Sequence, residues 1–217
     1  MADLAYERGL LAAHGPRLAG VDEVGRGAWA GPVAAAAVVL PARVYDAPEL
    51  LWGVTDSKRL APVERARWAA RIRELGAAVG VAFVARATID RRGIAEAART
   101  AMLRALDALD VRPDYVVVDA VRLPAGCPYG PIHQALVKAD ARCLSVAAAS
   151  ICAKVARDAY MTRLDARFPG YGFARHKGYG TAAHEETLRR LGPCAAHRRS
   201  FAPVRRQADH ALAALAR

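Results

Sequence analysis

Apolar and polar positions change their spacing several times along the chain, and each change predicts an element. Residues 18–24 alternate as Leu18, Gly20, Asp22 against Ala19, Val21, Glu23, a short strand running into glycines. Residues 33–40, VAAAAVVL, are continuously apolar and closed by Pro41, the pattern of a buried strand. Pro62 suits a first helical turn and opens a predicted helix over 62–75, with arginines on its outer positions. A third strand is expected at 79–87, and Ile94, Ala98, Met102, Ala105, Leu106 and Leu109 give helical spacing across 89–109. YVVVDA at 115–120 is too short for a helix and reads as a buried strand ending at Asp119. The strongest helix covers 144–168, ending before Pro169, and residues 169–180 read as irregular. Another helix is expected at 181–191 with Thr181 as its N-cap, and a terminal one at about 204–216.

Strands first, then strand–helix alternation, predict an α/β fold with a central mixed sheet flanked by helices. No repeat, low-complexity tract or linker interrupts it. The expectation is one domain over 1–217, with a helical C-terminal appendage at about 181–217. At 217 residues, 54% hydrophobic and 24% charged, the composition is that of an ordinary globular protein. No apolar run approaches the roughly 20 residues that span a bilayer. The N-terminus has acids early and no long apolar stretch, so a cytoplasmic location is expected. Cys127, Cys143, Cys152 and Cys194 form no CxxC pair and are expected as free thiols. The net charge of +11 changes the picture more, because such an excess attracts polyanions.

The glycine-rich stretch GVDEVGRGAWAGPV poses the chemical question. Gly25-x-Gly27-x-x-Ala30 matches a dinucleotide fingerprint, but that fingerprint needs a helix next, and Pro32 with the valine-ended run reads as a strand. Asp22 and Glu23 would also repel a bare pyrophosphate. The acids make sense if divalent cations lie between them and a phosphate, since hard cations prefer carboxylate oxygen. Further carboxylates should then converge. Asp119 ends a buried strand, where an uncompensated charge is expensive. Asp140 precedes the strongest helix, and for it the ligand and helix-capping readings both stand. On a regular strand Asp22 and Glu23 face opposite sides, so they can share one cluster only if the strand ends or bends there.

Several segments together resemble ribonuclease HII, the type 2 ribonuclease H family: GVDEVGRGAWAGPVAAAAVVL, TDSKRL, KADARCLSVAAASICAKVARD and FPGYGFARHKGYGTAAHEETLRRLGPCAAHRRSFAPV, in order across about 18–206. The resemblance implies an RNase H-like fold and an endonuclease acting on RNA–DNA hybrids and on single ribonucleotides embedded in duplex DNA. It implies that Asp22, Glu23, Asp119 and Asp140 bind two divalent cations, Mg²⁺ or Mn²⁺. It further implies that Gly25, Arg26 and Gly27 contact the ribose 2′-OH and adjoining backbone, and that Tyr179 stacks on the sugar at the junction. Lys58 and Lys177 lie inside the resembling motifs and are expected at phosphates; Arg198 and Arg199 are candidates for the same contact, with a solvated surface charge the simpler reading of each. The spacing of His176, His184 and His197 fits no zinc site, and backbone or phosphate bonding is expected for them.

Under two-metal hydrolysis one ion activates water and the other stabilises the departing 3′ oxygen, giving 3′-OH and 5′-phosphate ends on the 5′ side of the ribonucleotide. Two features depart from or refine the pattern. Many relatives have glycine after the third acid, where this chain has Ala120, and Arg26 with the short N-terminus favours type HII over the HIII group. No sliding-clamp-binding peptide is evident near the C-terminus, and a monomer is expected. Two rival readings remain at this level: a non-catalytic basic nucleic-acid-binding module, and a nicotinamide-dependent oxidoreductase, which requires a helix after Gly31.

Overall fold

The computed structural model describes residues 4–54, 57 and 60–215, with side chains as far as Asp209. Among them the chain forms α1 (Leu4–His14), β1 (Leu18–Val24), β2 (Val33–Val39), α2 (Ala42–Asp46) and α3 (Pro62–Glu74). There follow β3 (Ala78–Val84), α4 (Arg86–Arg92), α5 (Ile94–Asp107), β4 (Tyr115–Asp119), β5 (His133–Leu136) and α6 (Ala139–Arg142). The remainder is helical: α7 (Leu144–Arg167), α8 (Phe173–His176), α9 (Ala182–Leu191) and α10 (Ala202–Leu215). The sheet runs β3-β2-β1-β4-β5, antiparallel across β3, β2 and β1 and parallel across β1, β4 and β5.

The alanine run of β2 is buried along its whole length because helices cover both faces of the sheet. Ala35 and Ala37 pack with Ala98, Ala101, Met102 and Ala105 of α5 on one face. Ala36 and Val38 pack with Ala147, Ala148, Ile151 and Cys152 of α7 on the other. Small side chains let the backbones approach closely. At Gly20 of β1 the limit is reached, since a Cβ there would run into the backbone of Ser145 and Val146. That contact sets the height of α7 over β1.

The N-terminus of α7 has no side-chain cap of its own at Cys143. Glu7 of α1, fully buried, supplies one instead. Its carboxylate accepts from Leu144 N (2.6 Å), Ser145 N (3.1 Å) and Ser145 Oγ (2.6 Å), using the free amides and positive end of the helix. Tyr6, beside it on α1, donates to Gln134 on β5 at 2.8 Å. Thus α1 ties the outermost parallel strand to the central helix.

Several expected elements shift. The strand expected over 79–87 stops at Val84, and α4 begins at Arg86. The single helix expected over 89–109 is two helices, broken at Gly93 with φ 80°. Thr181 caps α9 as expected, its hydroxyl accepting from His184 N at 3.2 Å. Asp140 does not cap α7; it sits in the first turn of α6, and Cys143 holds the N-cap position.

Candidate active site

Two parallel neighbours, β1 and β4, open their C-terminal ends on the same side of the sheet. There Asp22, Glu23, Asp119 and Asp140 line one cavity of about 180 Å³ with Val24, Ser57, Ser150, Lys154 and Tyr179. The break in β1 expected from the adjacency of Asp22 and Glu23 does not occur, for β1 stays paired with β2 through Val24. Its pairing with β4 stops at Val21 opposite Val118. Beyond that point β1 has no β4 partner, and both Asp22 and Glu23 line the cavity. Asp119 Oδ1 accepts from Ala139 N at 2.8 Å and so anchors the helical turn that carries Asp140. Ala120 holds the left-handed conformation, φ 51°, which glycine adopts without strain.

The four acids share one cavity, and Asp22 is the most buried of them. Asp22 is only 8% exposed. Burial first, and then the Glu23 charge, pushes its pKa up to about 8, with Ser150 opposing the rise. Burial also raises Glu23, against the pull of Arg26, whose Nη1 lies 3.1 Å from Glu23 Oε1. Glu23 Oε2 is buried with no hydrogen-bond partner. An orphaned carboxylate oxygen among hard oxygen donors fits divalent cations, which would compensate the charge the protein leaves standing. Among the described residues no three acids, histidines or cysteines are already drawn into a ready-made metal site.

The glycine turn beside the acids runs into β2, not into a helix, so the helix N-terminus that a dinucleotide needs is missing. Two arginines hold the turn from beneath. Arg157 of α7, fully buried, donates to the carbonyls of Pro32 (3.0 Å), Lys177 (3.0 Å) and Ala30 (3.3 Å), and its guanidinium lies 5.3 Å from the Tyr179 ring centre. Arg198, also fully buried, donates to Gly31 O (3.0 Å) and Arg26 O (2.8 Å). Neither the solvated surface charge nor the phosphate contact read for it holds: it is spent on backbone carbonyls, and burial with the neighbouring Arg157 charge lowers its pKa to about 9. Arg199 is exposed.

The two glycines flanking Arg26 differ. At Gly25, φ is 90° and a Cβ would run into the Arg157 guanidinium, so the fold itself demands glycine. Gly27 is exposed, lacks a positive φ, and no protein atom lies within 4 Å of a Cβ built there. Among the described residues, no neighbouring atom requires glycine at 27.

Tyr179 is joined to the turn by a bridge to Ala28, and Trp29 N donates to Gly178 O at 2.7 Å. Three histidines set this junction by hydrogen bonds to the backbone and to one another. His176 Nε2 donates to Tyr171 O (2.7 Å) and its Nδ1 accepts from Gly178 N (3.2 Å). His184 Nδ1 donates to Tyr179 O (2.9 Å), so its bare Nε2 accepts from His197 Nε2 (3.1 Å), whose Nδ1 accepts from Cys194 N (3.0 Å). All three rings satisfy this pattern as neutral tautomers. The Lys177 ammonium bonds Thr162 Oγ1 at 3.1 Å and does not line the cavity. Lys58 lies outside the described residues. Sequence reasoning missed Ser57, Ser150, Lys154 and Arg157. The only signal for the last three was the run of polar residues at helical spacing on a helix whose first half is apolar.

Two outcomes follow for folding. Gly25→Ala should lower stability to denaturant by about 2 kcal/mol or more, while Gly27→Ala stays within about 0.5 kcal/mol of wild type. Burial first lowers His184 and His197 to about 4, from 6.5 in the unfolded chain. Their contribution is complete above pH 6.5 and is lost as pH falls towards 4. At pH 5 both rings are protonated in the unfolded chain and largely neutral in the folded one, which costs about 2 kcal/mol per ring. Melting curves at pH 7 and pH 5 check this, and His184→Asn should flatten the difference.

Comparison with known proteins now bears on this geometry. The Ribonuclease HII family model matches residues 19–204. The chain is 50% identical over 202 residues to "Ribonuclease HII" of Geobacillus kaustophilus (strain HTA426), covering 93% of this chain and 74% of that one. It is 52% identical over 198 residues to "Ribonuclease HII" of Roseiflexus castenholzii (strain DSM 13941 / HLO8), covering 91% and 87%. The crystal structure of ribonuclease H2 from Pyrococcus horikoshii OT3 matches with a TM-score of 0.75 at 28% identity, covering 89% of this chain and 98% of that one. With the acid-lined cavity and the mixed sheet beneath it, these matches make the chain a member of the ribonuclease HII family, a metal-dependent endonuclease of ribonuclease H type 2.

Proposed function

We propose that the protein hydrolyses the RNA strand of RNA–DNA hybrids and cuts 5′ to single ribonucleotides embedded in duplex DNA, leaving 3′-OH and 5′-phosphate ends. In this reading Asp22, Glu23, Asp119 and Asp140 hold two divalent cations, Mg²⁺ or Mn²⁺. The observation that carries it is the placement of four carboxylates around one cavity next to a glycine turn whose Gly27 is open to solvent. Bound divalent cations in such a site supply charge stabilisation at the attacking and departing oxygens.

The chain's own groups choose and orient the substrate. The backbone around Gly27 offers amide and carbonyl groups that a 2′-OH can meet as both donor and acceptor, with no side chain in the way. Arg26 carries a charge for the flanking phosphate and, in the free protein, pairs with Glu23. Tyr179 is half-buried on the cavity wall with Arg157 beneath its ring, which leaves it available for stacking on the adjoining sugar. Arg157 and Arg198 keep turn and tyrosine at a fixed separation. A purely binding role explains the basic charge but leaves Asp22 and Glu23 buried at a cost with no return.

A DNA duplex with one ribonucleotide tests the reading. A single cut 5′ to the ribonucleotide is expected with Mg²⁺ or Mn²⁺, none with EDTA and none in all-DNA duplex. Asp119→Asn should lose at least about 100-fold in rate. Tyr179→Phe should cut nearly as wild type and Tyr179→Ala much more slowly. An intact duplex in both metals with folded protein refutes the proposal and leaves binding without catalysis.

A further inference from the structure

The groups lining the acid cavity divide by the elements that carry them. The carboxylates come from the ends of β1 and β4 and from α6, whereas Ser150 and Lys154 come from α7 and Ser57 from a segment bonded to it. Ser57 and Ser150 share a hydroxyl–hydroxyl bond of 2.9 Å. Carboxylates, hydroxyls and one ammonium therefore reach the same cavity from different elements. Among the described residues Lys154 is the one cation lining the cavity.

Lys154 is anchored from outside that cavity. Its Nζ donates to Asp158 Oδ1 at 2.6 Å, one turn further along α7. Asp158 Oδ2 lies 3.7 Å from Arg65 Nη2, and Arg65 Nη1 donates to the carbonyls of Ser57 and Leu60. The anchor keeps the ammonium from collapsing onto the acids, where it would compete with divalent cations. An ammonium carries three protons, and one bond to Asp158 leaves two for a ligand. A cavity that holds an ammonium beside carboxylates able to bind cations suits a ligand that is itself anionic. A phosphodiester is such a ligand.

We propose that Lys154 contacts the phosphodiester being cleaved, donating to a non-bridging oxygen, and that Asp158 is the residue that positions it. This rests on the cavity being the site of phosphodiester hydrolysis. The alternative is that Lys154, Asp158 and Arg65 only fasten α7 to α3.

The test uses the full chain and the single-ribonucleotide duplex. Lys154→Met should lower kcat by about 100-fold while KM changes by less than about threefold, with its melting curve near that of wild type. Lys154→Ala should recover part of the loss on addition of propylammonium, and not on addition of sodium chloride at equal ionic strength. Asp158→Asn should lose about tenfold in the wild-type background and nothing further in Lys154→Met, because it acts through the lysine. If Lys154→Met does not fold, Lys154→Gln takes its place in the same comparison. A lysine variant cutting at the wild-type rate, or an Asp158→Asn loss that is the same with and without Lys154, overturns the inference. A wild-type chain that cuts nothing refutes the underlying reading instead, and the inference falls with it.

Discussion

Confinement of like charge is the constraint on which the rest of this structure depends. Four carboxylates line a cavity of about 180 Å³, and the sheet beneath offers them no cation of its own. Burial and the neighbouring Glu23 hold Asp22 at a pKa of about 8, a position in which its charged form opposes folding at neutral pH. A protein that keeps such a site needs a reason to, and divalent cations with a phosphate supply one. The parallel β1–β4 pair brings the acids together, and the early end of that pairing lets two adjacent residues share the site.

Rigidity in the neighbouring elements answers the strain of the acids. α7 seats against Gly20 of β1, is capped by Glu7 from α1, and presents two faces at its middle. One carries Ser150 and Lys154 to the cavity. The other carries Arg157 to the underside of the glycine turn and of Tyr179. Arg198 and the three histidines complete the support with hydrogen bonds to backbone carbonyls and amides. The turn is therefore fixed before any ligand arrives, as the proposed selection of a 2′-OH requires.

Much of this was legible in the sequence, and the gaps have physical causes. The buried strands and α7 were readable because continuous apolar runs leave few alternatives. Asp119 was readable because a carboxylate at the end of a buried strand needs a partner, whereas for Asp140 ligand and helix cap both stood until the fold put it in α6 beside the cavity. β5 escaped because HQAL has neither alternation nor an apolar run, and it is held by its parallel neighbour and by Tyr6. The cap from Glu7 is a contact between residues 137 apart, beyond any local pattern. Arg198 reads as a surface charge in HRRS, and only the fold shows that it is buried while Arg199 is not. The difference between Gly25 and Gly27 likewise exists only once Arg157 is in place.

The most direct measurement is the melting midpoint of wild type and Asp22→Asn at pH 8, each with and without Mg²⁺ or Mn²⁺. Because the folded pKa of Asp22 lies above its unfolded value, its ionisation weakens the fold progressively as pH rises from about 4 to 8. Without ions the asparagine variant should therefore melt above wild type. Added ions should raise the wild-type midpoint and leave the variant's nearly unchanged. An Asp22→Asn chain that melts below wild type without ions, or a wild type indifferent to them, would contradict the view that these carboxylates are a cation site bought at the expense of stability.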